Sequence, residues 1–258
     1  MQSEKRRSQI AEYLRKEEFA TLEELAAEVG VSASTVRRDL IALEDGGQFR
    51  RTHGGARLAS PKSEEFAFST RRTKQTAEKL KIAEACAGLV SNRQSLILDT
   101  GSTIFHVASC LESKEPQIFT NSLPVANLFA SSNQVEVVLS GGVVYPRLGV
   151  LVGPLAERTF SEMHAEVAIM SGSGITVDGI YNSHALLIGI QQAMLAAAGK
   201  VIFCLDHTKF GRKSMSQVCG LEQVDCIVTD SNAPPDLLDE IRARGVEVVV
   251  ADFNSKIA

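Results

Sequence analysis

The sequence predicts an α/β protein that carries a separate, mainly helical module at its N-terminus. Three observations predict it. Residues 1–57 are charge-dense and hold three short apolar stripes at helical spacing. From about residue 94, short buried-strand runs alternate with helical stretches, as in a mostly parallel sheet covered on both faces. Between them, residues 58–70 hold Pro61, serines and the pair Glu64-Glu65, the composition of a linker. The boundaries taken are 1–57 for the first module, 58–74 for the linker and 75–258 for the α/β domain.

Length and composition bound the answer. A chain of 258 residues suits one or two domains. Hydrophobic residues at 44% and charged residues at 22% are ordinary for a globular protein and exclude wholesale disorder. No apolar stretch is long enough to span a membrane. The start, Met1 to Arg7, runs into Glu12, Arg15, Lys16 and Glu17 without an apolar core, so no signal peptide is expected and the location is cytoplasmic. Cys86, Cys110, Cys204, Cys219 and Cys226 are scattered and form no Cys-x-x-Cys pair. They read as reduced thiols packed in a core, and no metal site is expected. The net charge of −4 gives no support for nucleic-acid binding over the whole surface. Any such role must sit in a local patch.

In the first module, Ile10, Tyr13 and Leu14 mark one helix. Leu22, Leu25, Ala26 and Val29 mark a second. Thr21 is its N-cap, with Glu24 completing a capping box, and Gly30 its C-cap. Ser32 caps a third helix, in which Val36, Leu40 and Leu43 share a face with Ala33 beside them. The opposite face carries Ser34, Thr35 and Arg38, with Arg37 on its flank, and Gly46-Gly47 ends the helix. Phe49 to Arg57 is basic and glycine-punctuated, and reads as a hairpin or wing.

Two helices joined by the tight turn Gly30-Val31-Ser32 fit a helix-turn-helix. The second would meet DNA with hydroxyls and two arginines at the end that enters the major groove. Arginine makes bidentate contacts to guanine, while serine and threonine suit phosphates or bases. Glu44 and Asp45 lie at the far end, and Arg50, Arg51, His53 and Arg57 add positive groups along the wing. The competing reading is a helical packing module with solvated charges, and pattern alone leaves both open.

In the second domain, a helical stripe over 71–90 runs through Ala77, Leu80, Ala83, Ala87 and Val90. Strand signals follow at Ser95–Asp99, Ile118–Ser122, Val135–Gly142, Val167–Met170, Val201–Leu205, Cys226–Asp230 and Val246–Val250. The sharpest feature is Asp99-Thr100-Gly101-Ser102-Thr103, where a strand ends, a glycine turn follows and a helix begins. Backbone amides and hydroxyls there could cradle a phosphate. The segment lacks Walker A spacing, and Gly172-x-Gly174 does not continue to a third glycine because residue 177 is Val. Alone, such a segment is more often an ordinary strand-to-helix turn than a ligand site.

Convergence strengthens the binding reading. Thr120-Asn121-Ser122, Ser140-Gly141-Gly142, Ser171 to Gly174 and Asp206 to Lys209 also follow strands. Ligands of open parallel sheets bind outside the carboxyl ends of the strands. Lys209 could neutralise a phosphate or reach a sugar hydroxyl, while Asp99 and Asp206 could accept from hydroxyls. His106, His164 and His207 show no ligand spacing, so no metal or cofactor is assigned. Arg147 and Lys213 could touch an anionic ligand or be solvated charges.

Val31 to Leu40, Leu43-Glu44 and Arg51-x-His53-Gly54-Gly55-Ala56 resemble the signature of DeoR-family bacterial transcriptional regulators. The resemblance covers nearly all of 5–57. It implies a winged helix-turn-helix with 32–45 as recognition helix, and DNA contacts from Ser32, Ser34, Thr35, Arg37, Arg38, Arg51 and His53. Ala33 departs from the larger polar residue common in the family.

The likeness continues over roughly 75–250. Leu98 to Thr103, Thr120 to Ser122, Gly141-Gly142, Gly153-Pro154-Leu155 and Asp206-x-x-Lys209-Phe210-Gly211 are similar to the family's C-terminal sensor domain. That domain is related in fold to ribose-5-phosphate isomerase and coenzyme A transferases. The resemblance implies a phosphorylated sugar held by Asp99, Thr100, Gly101, Ser102, Thr103, Thr120, Asn121, Ser122, Gly141, Gly142, Gly172, Gly174, Asp206 and Lys209. His184 stands where many relatives carry an acid, and Ser171 to Gly174 lacks a common Asp.

An isomerase of this fold needs a carboxylate base beside the substrate, and the sequence shows no Lys-Gly-x-Gly-Gly segment and no nearby Glu in the family position, so isomerase activity is the second reading. The first is a DNA-binding regulator that is not an enzyme. It would repress a carbohydrate-utilisation operon until a sugar phosphate releases it. Its partners are operator DNA and that effector, not a membrane, and a homo-oligomer, dimer or tetramer, is expected from half-site reading.

Overall fold

The computed structural model describes residues 2–17, 19–45, 49–52, 54–58 and 68–251. The chain divides into two compact units between Thr70 and Arg71.

In the first unit, α1 (Gln2–Glu17) precedes β1 (Phe19–Thr21), α2 (Leu22–Val29), α3 (Ala33–Asp45), β2 (Phe49–Thr52) and β3 (Gly55–Leu58). Local chemistry sets the helix ends. Thr21 Oγ1 accepts from the Glu24 amide at 3.2 Å, and Glu24 accepts from the Thr21 amide at 2.8 Å, so the capping box is present. Gly30 closes α2 at φ +65°. Ile10, Leu14, Leu25, Val36 and Leu40, on the apolar faces read from spacing, form the core together with Phe49 and Ala56 of the wing strands. One element is unforeseen. Strand β1 pairs with β3 to make an antiparallel sheet in the order β1-β3-β2. That pairing explains Gly55, where a Cβ would stand 2.1 Å from the Ala20 carbonyl oxygen.

The second unit begins with a difference. The single helix expected over 71–90 is two helices, α4 (Phe68–Thr73) and α5 (Thr76–Gly88), with Gln75 left-handed between them at φ +50°. The segment assigned to the linker is therefore helical from Phe68 to Thr73. Lys79 is the physical reason for the joint. Its buried ammonium donates to the carbonyls of Arg71, at 2.6 Å, and Lys74. It thereby bridges the last turn of α4 and the joint residue Lys74, whose amide also donates to the Arg71 carbonyl at 3.4 Å.

A parallel seven-stranded sheet follows, built from β4 (Ser95–Leu98), β5 (Gln117–Thr120), β6 (Glu136–Leu139), β9 (Ala165–Met170), β12 (Ala198–Cys204), β14 (Cys226–Asp230) and β15 (Glu247–Ala251). Its spatial order is β15-β14-β12-β9-β4-β5-β6. Side chains alternate across it. Ile97, Ala168, Met170, Phe203 and Ile227 enter one apolar cluster, and Leu96, Leu98, Ile169, Ile202 and Val228 enter the other. Crossover helices α6 (Ser102–Ser109), α7 (Leu123–Leu128), α8 (Pro154–Ser161), α9 (Ile188–Ala196) and α10 (Pro235–Ala243) accompany the strands.

Two antiparallel additions were not legible beforehand: the hairpin β7 (Val143–Tyr145) with β8 (Val150–Val152), and the small sheet β10 (Gly174–Thr176), β11 (Gly179–Asn182) and β13 (Ser216–Cys219). Among the described residues, no helix is long and apolar enough to cross a membrane.

The order matters for function. Strands β4, β5 and β6 build outward one way, and β9, β12, β14 and β15 the other. The reversal falls between β4 and β9, whose carboxyl ends lead into Asp99 and Ser171. Such a switch point opens a crevice at the strand ends.

Candidate functional site

Helix α3 buries Val36 and Leu40 and leaves Ser32, Ser34, Arg37 and Arg38 exposed on the turn and helix. The hydroxyls cluster at its start. Ser32 Oγ lies 2.9 Å from Ser34 Oγ and 3.0 Å from Thr35 Oγ1, and the Ser32 carbonyl accepts from the Thr35 and Val36 amides. The start of α3 therefore presents hydroxyls beside two arginines, a surface suited to phosphates and base edges.

Asp39 in the same helix is 3% exposed and accepts from Arg6 Nε at 2.6 Å and Arg7 Nε at 3.1 Å. Burial raises its carboxyl, but the two arginines outweigh that and hold it below the usual carboxylate range. This pairing fixes α3 against α1. Arg51 is engaged within the unit as well. Its Nε lies 2.5 Å from Glu44 Oε2, and its amide donates to Glu44 Oε1 at 3.1 Å. Glu44 thereby ties the wing strand β2 to the end of α3. His53 lies outside the described residues.

In the second unit the strand ends bring buried charges together. Asp99, following β4, accepts at Oδ2 from Gln191 Nε2 at 2.7 Å and from the Ser171 amide at 3.2 Å. Burial pushes its carboxyl up to about 6, against those bonds, the Thr100 amide and the nearby Arg71 charge. Asp206, following β12, accepts at Oδ1 from the Thr208 amide at 3.0 Å. Its buried Oδ2 accepts no hydrogen bond and stands 3.7 Å from Lys209 Nζ. Arg71, from α4, feels both carboxylates. Burial lowers its guanidinium, and the charges of Asp99 and Asp206 oppose that. Its Nη2 would stand 3.0 Å from a Cβ at Gly101. Burial lowers Lys209 in the same way, against Asp206, and brings Lys79 to about 8.

The other expected effector residues divide. Thr100, Ser102 and Thr103 are buried where Gly101, at φ +117°, turns the chain into α6. The first amides of α6 have no acceptor within the helix. Asn121 donates from Nδ2 to the Leu151 carbonyl at 3.0 Å, and its buried Oδ1 accepts nothing. Thr120 and Ser122 have internal tasks. Thr120 Oγ1 donates to the Leu98 carbonyl at 2.7 Å, and Ser122 caps α7. Gly141, Gly142, Gly172 and Gly174 serve close packing: a Cβ at Gly174 would lie 2.2 Å from the Arg212 carbonyl oxygen, and one at Gly141 2.6 Å from Leu155. His207 pairs with Asp230, Nδ1 to Oδ1 at 2.9 Å, and no metal-ligating cluster occurs among the described residues.

Family comparison decides what this pair of sites belongs to. The DeoR-like helix-turn-helix domain matches residues 6–62, and the DeoR C terminal sensor domain matches residues 74–231. The chain belongs to the DeoR family. It resembles the HTH-type transcriptional regulator UlaR of Escherichia coli strain K12 / DH10B, at 28% identity over 90% of this chain and 92% of that protein. The same protein of Salmonella arizonae matches to the same extent, 28% over 90% and 92%. Solved structures of similar shape include ribose 5 phosphate isomerase A from Neisseria gonorrhoeae, with TM-score 0.36, 18% identity and coverage of 54% and 55%. Another is eIF2B delta from Chaetomium thermophilum, with TM-score 0.44, 15% identity and coverage of 60% and 56%. Likenesses this remote carry no functional information.

The chain is thus a DNA-binding transcriptional regulator with a sensor domain, and not an enzyme. Sequence reading of this DeoR-family regulator missed Arg71, Lys79 and Gln191 at the crevice and Asp39 in the recognition helix. Only Asp39 carried a local hint, a lone acid on the apolar face that ends in Leu40.

Proposed function

We propose that this regulator represses a carbohydrate-utilisation operon and is released from its operator by a phosphorylated sugar bound at the switch-point crevice. The carrying observation is the buried charge set. At the ends of β4 and β12 Arg71 feels the charges of Asp99 and Asp206, Lys209 stands 3.7 Å from Asp206, and Lys79 feels Asp206 as well. Such a set suits a molecule with an anionic group and hydroxyls. Thr100 to Thr103 and the first amides of α6 take the phosphate. Asp99, Asn121, Asp206 and Lys209 take the sugar, with Asn121 Oδ1 and Asp206 Oδ2 as its hydroxyl acceptors. Operator DNA is held by Ser32, Ser34, Thr35, Arg37 and Arg38, and by the wing through His53. Arg51 serves chiefly by anchoring that wing to Glu44.

The regulator acts in the cytoplasm as a homo-oligomer, because helix-turn-helix proteins read paired half-sites. The test is fluorescence anisotropy on DNA from upstream of its own gene, at two salt concentrations. The panel is D-ribose 5-phosphate, D-glucose 6-phosphate, D-fructose 6-phosphate and the matching free sugars. Release by a phosphate and not by its free sugar is the expected result. Specific binding that no panel member alters would contradict the effector reading.

A further inference from the structure

One side chain of the crevice wall ties three strand ends together. Gln191, on α9, is 1% exposed. Its Nε2 donates to Asp99 Oδ2 at 2.7 Å and to the Ser171 carbonyl at 3.1 Å. Its Oε1 accepts from Asn182 Nδ2 at 2.9 Å, and Asn182 Oδ1 accepts from the His184 amide at 3.1 Å. The relay has one polarity. Both amide hydrogens of Gln191 are used, its nitrogen cannot accept, and its oxygen already faces a donor. Asp99 Oδ2 also receives the Ser171 amide at 3.2 Å. With two donors aimed at it, Oδ2 is held as an acceptor, and protonation of this carboxyl is directed to Oδ1.

We propose that Gln191 is a positioning residue of the effector crevice: it holds Asp99 as a hydrogen-bond acceptor for a hydroxyl of the bound molecule, and it locks that acceptor to the wall formed by Asn182 and His184. The inference rests on the reading of this crevice as the effector site. The opposing influences are known. Burial favours the protonated acid, bringing Asp99 up to about 6, while the amides of Thr100 and Ser171, the Gln191 amide and the charge of Arg71 favour the carboxylate. Arg71 also feels the charge of Asp206, beside which Lys209 Nζ stands at 3.7 Å. Removing the Gln191 donor removes a charge-assisted bond from a site where burial already works against the carboxylate.

The experiment is carbon-13 NMR of the Asp99 carboxyl in the full chain, labelled at aspartate and assigned with Asp99→Asn, titrated from acid to neutral pH. The wild-type midpoint is expected near 6. In Gln191→Met it rises by about one pH unit, a tenfold gain in proton affinity. Gln191→Glu keeps the shape and places two carboxyls side by side. The pair then titrates in two steps, one below and one above the wild-type midpoint. A merely structural role for Gln191 moves the melting temperature and leaves the midpoint where it was. Should Gln191→Met not fold, Gln191→Glu carries the test, and an Asp99 titration in it identical to wild type overturns the proposal.

The functional arm uses whichever sugar phosphate of the panel releases the wild-type chain. The pH below which release fails rises in Gln191→Met in step with the Asp99 midpoint. If no panel member releases the operator, the effector reading fails, and the ligand-free titration still decides the relay.

Discussion

Asp39 and Arg38 are neighbours in α3 with opposite tasks. Arg38 is exposed on the face that carries Ser34, so under the proposed function its loss is expected to act on DNA binding and not on folding. Arg38→Ala is expected to weaken operator binding by ~1–3 kcal/mol if it reads a base, or to lower the salt slope by about one if it holds a phosphate. Anisotropy at several salt concentrations separates the two, and effector binding stays intact. Asp39 points inward to Arg6 and Arg7. Asp39→Ala leaves two arginines without their acceptor and is expected to cost ~1–3 kcal/mol of the N-terminal unit's stability. Calorimetry of the full chain should show this as a lower first or second transition, whichever belongs to that unit. Its carboxyl is held below the usual range, so its stabilising effect is present above the unfolded value near 3.8 and is lost as pH falls through the lower folded value.

The element that matters most to the crevice is the joint between α4 and α5. It is held by Lys79, which donates to the carbonyls of Arg71 in α4 and of Lys74 after it, and by the left-handed Gln75. Because Arg71 belongs to α4, this joint sets where its guanidinium stands. Lys79→Met is expected to lower stability by ~1–2 kcal/mol and to weaken effector release, while operator affinity without effector is unchanged. Gly101→Ala reaches Arg71 from the other side. The residue sits at φ +117°, and its Cβ would lie 3.0 Å from Arg71 Nη2. A cost of ~1–3 kcal/mol and a poorer effector response are expected, read by thermal melting and by the operator-release assay. These elements also show where sequence stops being informative. The α2 cap and the Asp99 to Thr103 turn were legible because each is made by residues within a few positions of one another. The break in the 71–90 stripe was not, since a broad apolar face looks alike in one helix or two. Strands β1, β7, β8 and β10 hold three residues each, too few for a period of two to show.

Across the whole molecule, alternation of strands and helices predicted the parallel sheet. The turn residues after each strand predicted which end of it would be polar. What could not be read was the pairing of distant charges. Gln191 meets Asp99 across 92 residues of sequence. Arg71 feels the charges of Asp99 and Asp206, which the sheet order β12-β9-β4 brings to strand ends on either side of β9.

Asp39 and Asp99 respond oppositely to acid. Asp99 is raised from 3.8 to about 6 in the fold, so the folded sensor unit holds a proton that the unfolded chain has released between those values. The contribution of Asp99 to stability therefore falls by up to ~3 kcal/mol as pH rises from about 4 to about 6. Asp99→Asn, which removes the buried charge, should flatten that slope in denaturant titrations.

The central claim is that the charged crevice receives an anionic effector and thereby controls DNA binding. Arg71→Met tests it most directly in the operator-release assay. The variant should bind the operator as tightly as the wild-type chain without effector. It should need at least about tenfold more of the releasing sugar phosphate, the effect of losing one charge-assisted bond. Release at the wild-type concentration, or loss of operator binding before any sugar phosphate is added, would contradict the account.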